Sequence, residues 1–82
     1  MPWHTYIIKC KDGVLYTGIT NNLARRVKAH NSGNGSRFTK YRAPVKLVHS
    51  EDCLTRSDAL KREARIKRLK RAAKLKLIKP KL

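Results

Sequence analysis

The chain has 82 residues, and its 21 lysines and arginines against five aspartates and glutamates leave a formal net charge of +16. A chain this short builds one small core, so a single domain is expected over 1–82, with the core at about 3–78 and a basic tail at 79–82. So large an excess is self-repelling until a polyanion covers it; this points first to nucleic acid and only second to an anionic membrane surface, and no apolar run approaches the ~18 residues of a bilayer span.

The opening MPWHTYIIKC lacks the basic start and long apolar stretch of a secretion signal. Cys10 and Cys53 follow no metal-ligand spacing, and His4, His30 and His49 form no local pair. No zinc site is expected, and the two thiols read as reduced packing residues of a cytoplasmic protein.

His4–Cys10 is rich in β-formers, Lys11-Asp12-Gly13 supplies a turn, and Val14–Ile19 is a second β-rich run. Asp-Gly between two apolar runs predicts a hairpin. Alternation puts Tyr6, Ile8 and Cys10 on one face of the first strand and Thr5, Ile7 and Lys9 on the other; Tyr16, Gly18 and Thr20 share a face of the second. Asn21 or Asn22 caps a helix from Leu23 to about His30, with Leu23, Ala24 and Val27 as its apolar side. Asn22, Arg26 and His30 fall at i, i+4 and i+8 and line up beside that stripe.

A polar loop follows at Ser32–Ser36, then Arg37-Phe38-Thr39-Lys40-Tyr41-Arg42, in which cations, hydroxyls and aromatics interleave. Val45–Ser50 reads as a third strand, with Val45 and Leu47 on one face and Val48 on the other, and Glu51–Thr55 as a connection. A last helix starts near Thr55 or Ser57, where Thr55-x-x-Asp58 fits a capping box loosely. It runs to about Leu69; Arg71–Ile78 is a further helical segment, and the tail from Lys79 is expected to fray.

The apolar stripe of that last helix runs Ala59, position 63, Ile66, Leu69 and Ala73, and position 63 is Glu. A carboxylate on a packing face needs a cation. Two kinds are open: an arginine, giving a structural ion pair, or a divalent metal. One carboxylate with waters and phosphate oxygens suits Mg²⁺. Arg62 and Arg65 flank Glu63 in sequence but point elsewhere on the helix.

Together these residues resemble the GIY-YIG nuclease superfamily, and within it the small single-domain bacterial (UPF0213-like) proteins, from about Trp3 to Ile78. The first motif stands as His4-Thr5-Tyr6 and the second as Tyr16-Thr17-Gly18, their tyrosines ten apart. Thr20-Asn21-Asn22-Leu23 leads to Arg26, ten beyond the second tyrosine, with His30 one turn later and Glu63 on the later helix. His4-Thr5 replaces the Gly-Ile of the motif. A late asparagine found in some larger members has no counterpart after Asn34, so its function is either absent or taken over by Lys70 or Lys74.

The resemblance implies an α+β fold, a three-stranded antiparallel sheet flanked by helices. It also implies a divalent-metal-dependent endonuclease that hydrolyses phosphodiester bonds, with DNA as the expected partner, single-stranded or structured, and with no membrane and no small-molecule cofactor. Glu63 would hold one Mg²⁺ or Mn²⁺. Arg26, rather than its neighbour Arg25, would donate to a phosphate oxygen, where a planar fork serves better than an ammonium. Tyr6 or Tyr16 would take the proton of the attacking water, with Tyr6 the favoured base and Tyr16 then positioning water or phosphate. An unperturbed tyrosine has a pKa of ~10, so the arginine and the metal are expected to favour the phenolate. His30 would bond a tyrosine or phosphate, or serve as a second base; the plainer role is a cation at a helix C-terminus. Gly18 would let the backbone pass close to the site.

Arg25, Arg37, Lys40, Arg42, Lys67 and Lys70 would grip the phosphate backbone, which gives affinity without sequence information. Phe38 and Tyr41, set among them, would either stack on unpaired bases or pack the loop onto the sheet. Two rival readings are a non-catalytic nucleic-acid binder and a cationic membrane-surface peptide with Arg62–Leu77 as an amphipathic helix. A lone acid aligned with two tyrosines and an arginine argues against the first, and the hairpin with its glycine motif against the second.

Overall fold

The computed structural model describes residues 2–78; the tail at 79–82, expected to fray, lies outside them. The elements run β1 (Trp3–Lys9), β2 (Leu15–Thr20), α1 (Leu23–Asn31), β3 (Lys46–Cys53), α2 (Arg56–Arg68) and α3 (Arg71–Leu77). The strands form one antiparallel sheet in the order β2-β1-β3, the α+β architecture expected from the sequence. Among the described residues no helix is long and apolar enough to cross a membrane.

β1 is the centre of the molecule, and Thr5, Tyr6, Ile7 and Ile8 are all buried. A strand buried at consecutive positions is covered on both faces. Tyr6, Ile8 and Cys10 cluster with Val45, and Tyr16, Leu23 and Val27 close over them, so α1 covers this face. On the other face the Thr5 hydroxyl donates to the carbonyl of Ala59 in α2, and Ala59 and Ile66 are fully buried. Ala24, placed by pattern on the apolar side of α1, is exposed, and Leu23 and Val27 do that packing.

The hairpin forms as the Asp-Gly pair predicts: Gly13 has φ +85° and its N–H donates to the carbonyl of Cys10, so the last paired residues are Lys9 and Leu15. Asn22 caps α1, its Oδ1 accepting from the Arg25 N–H at 3.1 Å. At the far end the Asn31 side chain takes both backbone groups of Val45, tying the exit of α1 to the start of β3.

Three expectations need correction. β3 does not stop at Ser50; it continues to Cys53, pairing Glu51 with Thr5 and Cys53 with Trp3. It starts at Lys46, after Val45, and its first half is irregular, with a register shift opposite Ile7 and Ile8; Val45 is buried and Leu47 exposed rather than sharing a face. The stripe of α2 does not run on through Leu69, which is a partly exposed C-cap in extended conformation; α3 starts afresh after Lys70. The cap of α2 is Thr55, whose hydroxyl accepts from the Asp58 N–H at 3.1 Å.

Candidate active site

The register of the hairpin puts Tyr6 opposite Gly18 and Ile8 opposite Tyr16, so all four face α1. The phenol of Tyr6 lies across β2 over Gly18. A Cβ added to Gly18 would sit 2.6 Å from Tyr6 Oη and 3.2 Å from a ring carbon of Tyr16. Gly18 therefore makes room for the ring of Tyr6, the side chain of its partner strand.

α1 brings two side chains onto that hydroxyl. Arg26 Nε donates to Tyr6 Oη at 3.3 Å, and His30 Nε2 lies 2.9 Å from the same oxygen. The other imidazole nitrogen, Nδ1, lies 2.6 Å from Thr39 Oγ1, and Thr39 is held in turn by Ser36. Tyr16 completes the cluster, its ring 5.2 Å from that of His30 and 6.5 Å from that of Tyr6.

The electrostatics follow from burial. His30 is fully buried, and desolvation, reinforced by the charge of Arg26, pushes its pKa below the usual histidine value. His30 is therefore a neutral imidazole inside the site, and the plainer expectation of a cation at the helix end does not hold. The pKa of Tyr6 is raised: burial outweighs the hydrogen bond and charge of Arg26, and the charges of Tyr16 and Glu63 add to the rise. With Arg26 alone to favour the phenolate, Tyr6 is held as a phenol. The Arg26 guanidinium is held more firmly charged, chiefly by its bond to Tyr6.

Arg26 also opens to solvent. With Thr20, Asn21, Asn22, Arg25 and Ala29 it lines a cleft of about 340 Å³. Arg25 is exposed on this cleft and makes no side-chain bond to the tyrosines. Among the described residues, none of the ion pairs involves Arg26.

Glu63 sits on α2 with its side chain 19% exposed, and its ion pair is a loose one, to Lys67 Nζ at 3.5 Å. Neither flanking arginine pairs with it. Arg62 instead makes a two-pronged bond to Glu51, at 2.6 and 3.0 Å. The charge of Glu63 bears on Tyr6, yet no hydrogen bond joins it to the cluster among the described residues. No group of three or more His, Cys, Asp or Glu side chains gathers there either.

The residues assigned by sequence to nucleic-acid contact fall into two groups. Arg25, Arg37, Lys40, Tyr41 and Lys70 are exposed, and Tyr41 is 86% exposed with Lys40 Nζ 5.4 Å from its ring centre. The others have internal partners. Phe38 stacks on Tyr16 at 5.6 Å, and the guanidinium of Arg42 lies 4.6 Å over it. Arg42 also bonds the carbonyl of Phe38 and the carboxylate of Asp12, and Lys67 pairs with Glu63.

Sequence reasoning missed Thr39, Ser36 and Gly35. Thr39 is fully buried, and a Cβ on Gly35 would overlap the Nδ1 and Cγ of His30. The loop read as merely polar is the wall of the histidine pocket.

Comparison with known proteins shows the family to which the chain belongs. The model of the GIY-YIG catalytic domain matches residues 2–76, and the chain belongs to that family of nuclease domains. It is 53% identical over 78 residues to a UPF0213 protein of Desulfotalea psychrophila, covering 94% of this chain and 71% of that one. A UPF0213 protein of Staphylococcus saprophyticus is 52% identical over 75 residues, covering 92% of each. Among solved structures, the solution structure of a UPF0213 protein from Bacillus halodurans aligns with a TM-score of 0.61 at 38% identity, over 95% of this chain and 83% of that one. A protein from E. faecalis aligns at 0.65 and 40%, over 96% and 84%. These names state no activity; the family match is what points to a nuclease and to nucleic acid as its partner.

Proposed function

We propose that the protein is a divalent-metal-dependent endonuclease hydrolysing phosphodiester bonds in DNA, acting as one catalytic domain. The observation that carries the reading is the meeting of Tyr6, Arg26 and His30 at one hydroxyl, beside a cleft where, among the described residues, no carboxylate answers Arg26. A cation without an anion, at the mouth of an open cleft in a chain of net charge +16, suits a phosphate diester. Arg26 donates to a non-bridging oxygen and neutralises the charge that gathers there as water attacks.

Tyr6 is the base only in partnership with His30. A buried phenol cannot take a proton from water until it has given up its own, and His30 Nε2 is the acceptor in contact. The phosphate anion bound at Arg26 offsets the charge then created on the imidazole. Tyr16, half-buried beside both rings, borders the path of the water. Glu63 fits the role of metal ligand: it is mostly enclosed, and its partner Lys67 is 56% exposed and free to swing into solvent. One carboxylate suits a hard ion that keeps several waters. When bound, Mg²⁺ or Mn²⁺ would supply positive charge at the phosphate and leaving oxygen.

Substrate grip is assigned to Arg25, Arg37, Lys40 and Lys70, which have no competing ion pair among the described residues. Stacking on an unpaired base falls first to Tyr41, 86% exposed, ahead of Phe38, which is 42% exposed and already stacks on Tyr16 with the Arg42 guanidinium against its ring. That supports single-stranded or structured DNA as substrate.

The test is cleavage of labelled single-stranded, branched and plain duplex DNA with Mg²⁺, with Mn²⁺ and with chelator, beside Glu63→Gln. Metal-dependent cutting is expected, reduced on the order of 10²-fold or more in the variant, with plain duplex the poorest substrate. Equal binding by both proteins with no cutting under any condition would make this a nucleic-acid binder instead.

A further inference from the structure

One direction of the hydrogen-bond chain from Arg26 to the 32–42 loop gives every donor an acceptor among the described residues. A guanidinium nitrogen donates and cannot accept, so Arg26 Nε gives its hydrogen to Tyr6 Oη. The proton of Tyr6 is then free for His30 Nε2 at 2.9 Å. A neutral imidazole that accepts at Nε2 carries its hydrogen on Nδ1, and that hydrogen meets Thr39 Oγ1 at 2.6 Å. The Thr39 hydroxyl passes its own hydrogen to Ser36, whose Oγ lies at 3.1 Å and carbonyl at 3.5 Å, while Ser36 Oγ accepts the Thr39 N–H at 3.2 Å. Run backwards, the chain would put two donors on Tyr6 Oη and leave the proton of Tyr6 without an acceptor among the described residues.

We propose that Thr39 is a positioning residue of this site: it holds His30 as the Nδ1–H tautomer, so that a bare Nε2 faces Tyr6 as its proton acceptor. Gly35 belongs to the same device, because any side chain there would push the imidazole off Thr39. The consequence for catalysis rests on the nuclease reading; the tautomer itself does not. In the working cycle the Tyr6 O–H bond breaks as the Nε2–H bond forms, leaving a phenolate beside Arg26 and an imidazolium that still donates Nδ1–H to Thr39. The phenolate then takes a proton from the attacking water as the water oxygen bonds to phosphorus and the bond from phosphorus to the leaving ester oxygen breaks; that oxygen takes a proton from solvent, and the imidazolium returns its extra proton to solvent, which restores the site. The opposite tautomer presents Nε2–H to Tyr6 and can accept nothing there.

The test uses the full chain with ¹⁵N-labelled histidine, read by long-range ¹H–¹⁵N spectra, with wild type, Thr39→Val and Thr39→Ser. Wild type and Thr39→Ser should show a protonated Nδ1 and a bare Nε2 at His30, and Thr39→Val should lose that signature. In cleavage assays Thr39→Val should lower kcat about ten- to hundredfold with KM held within about twofold, and Thr39→Ser should restore most of the loss. A wild-type His30 protonated at Nε2 overturns the proposal, as does a Thr39→Val protein that keeps its kcat. The wild-type spectrum decides the tautomer even where Thr39→Val fails to fold. If wild type cuts nothing, the nuclease reading fails, and the spectra still decide for or against the clamp.

Discussion

Two partly enclosed polar networks lie on opposite faces of β1, and they differ in what they leave unanswered. On the α2 face, Glu51 is held by two bonds from Arg62 and one from His49 at 2.7 Å. Anion meets cation, and the Arg62 bond is the main reason the Glu51 carboxyl titrates below its usual range. On the α1 face, Arg26 meets a phenol, behind which lie an imidazole and a threonine. That network is fully hydrogen-bonded but carries an uncompensated positive charge at the edge of a cleft. The same physics of burial thus gives a closed pair that fastens a helix to the sheet and an open one that awaits an anion.

This contrast sorts the consequences of mutation and of pH. Gly18→Ala strikes the open network directly, because the added Cβ lands on the end of Tyr6. Overpacking at a well-filled position costs about 1–3 kcal/mol, and displacing the base should lower cleavage on the order of 10²-fold. Thermal melts beside cleavage rates on the same preparation check both; unchanged rates would mean that the phenol is not where the chemistry happens.

A smaller effect comes from pH, and it separates the two faces. His30 titrates below its ordinary 6.5 in the folded protein, so the unfolded chain binds more protons once pH falls under that value. Its contribution to stability is present above pH 6.5 and is lost as the pH falls through the lowered folded value. Glu51 titrates below its ordinary 4.5, so its contribution is present above pH 4.5 and is lost only under more acid conditions. Acidification should therefore weaken the α1 face first. Hydrogen exchange at α1 and α2 amides across this range reads the order, and simultaneous loss on both faces would contradict it.

Much of this was legible in the sequence because the signals are local and periodic. Alternation in His4–Cys10 assigned Tyr6 and Ile8 to one face and Thr5 and Ile7 to the other, and the helical line through Arg26 and His30 put both on the side of α1 that meets Tyr6. The parts that escaped depend on pairing across the fold. Ser50-Glu51-Asp52 has little β propensity, and it is strand because it pairs with β1 and because Arg62, eleven residues on from Glu51, neutralises that carboxylate. Thr39 and Gly35 sit in a stretch whose composition reads as loop, and only the folded chain brings them against His30. Phe38 and Arg42 looked like substrate contacts by their interleaving, but a cation and an aromatic four apart can also bind each other, and here they do.

The central claim is that the two networks divide labour, and it is tested most directly by Arg26→Ala beside Arg62→Ala, with cleavage rate per folded molecule and melting stability measured for each. Removing the phosphate-facing cation should cut the rate on the order of 10³-fold and leave stability close to wild type. Removing Arg62, which is 34% exposed, should cost about 1–3 kcal/mol of stability and leave the rate per folded molecule unchanged. If Arg26→Ala cuts as fast as wild type, or if the two variants lose rate and stability in the same proportion, the division does not exist.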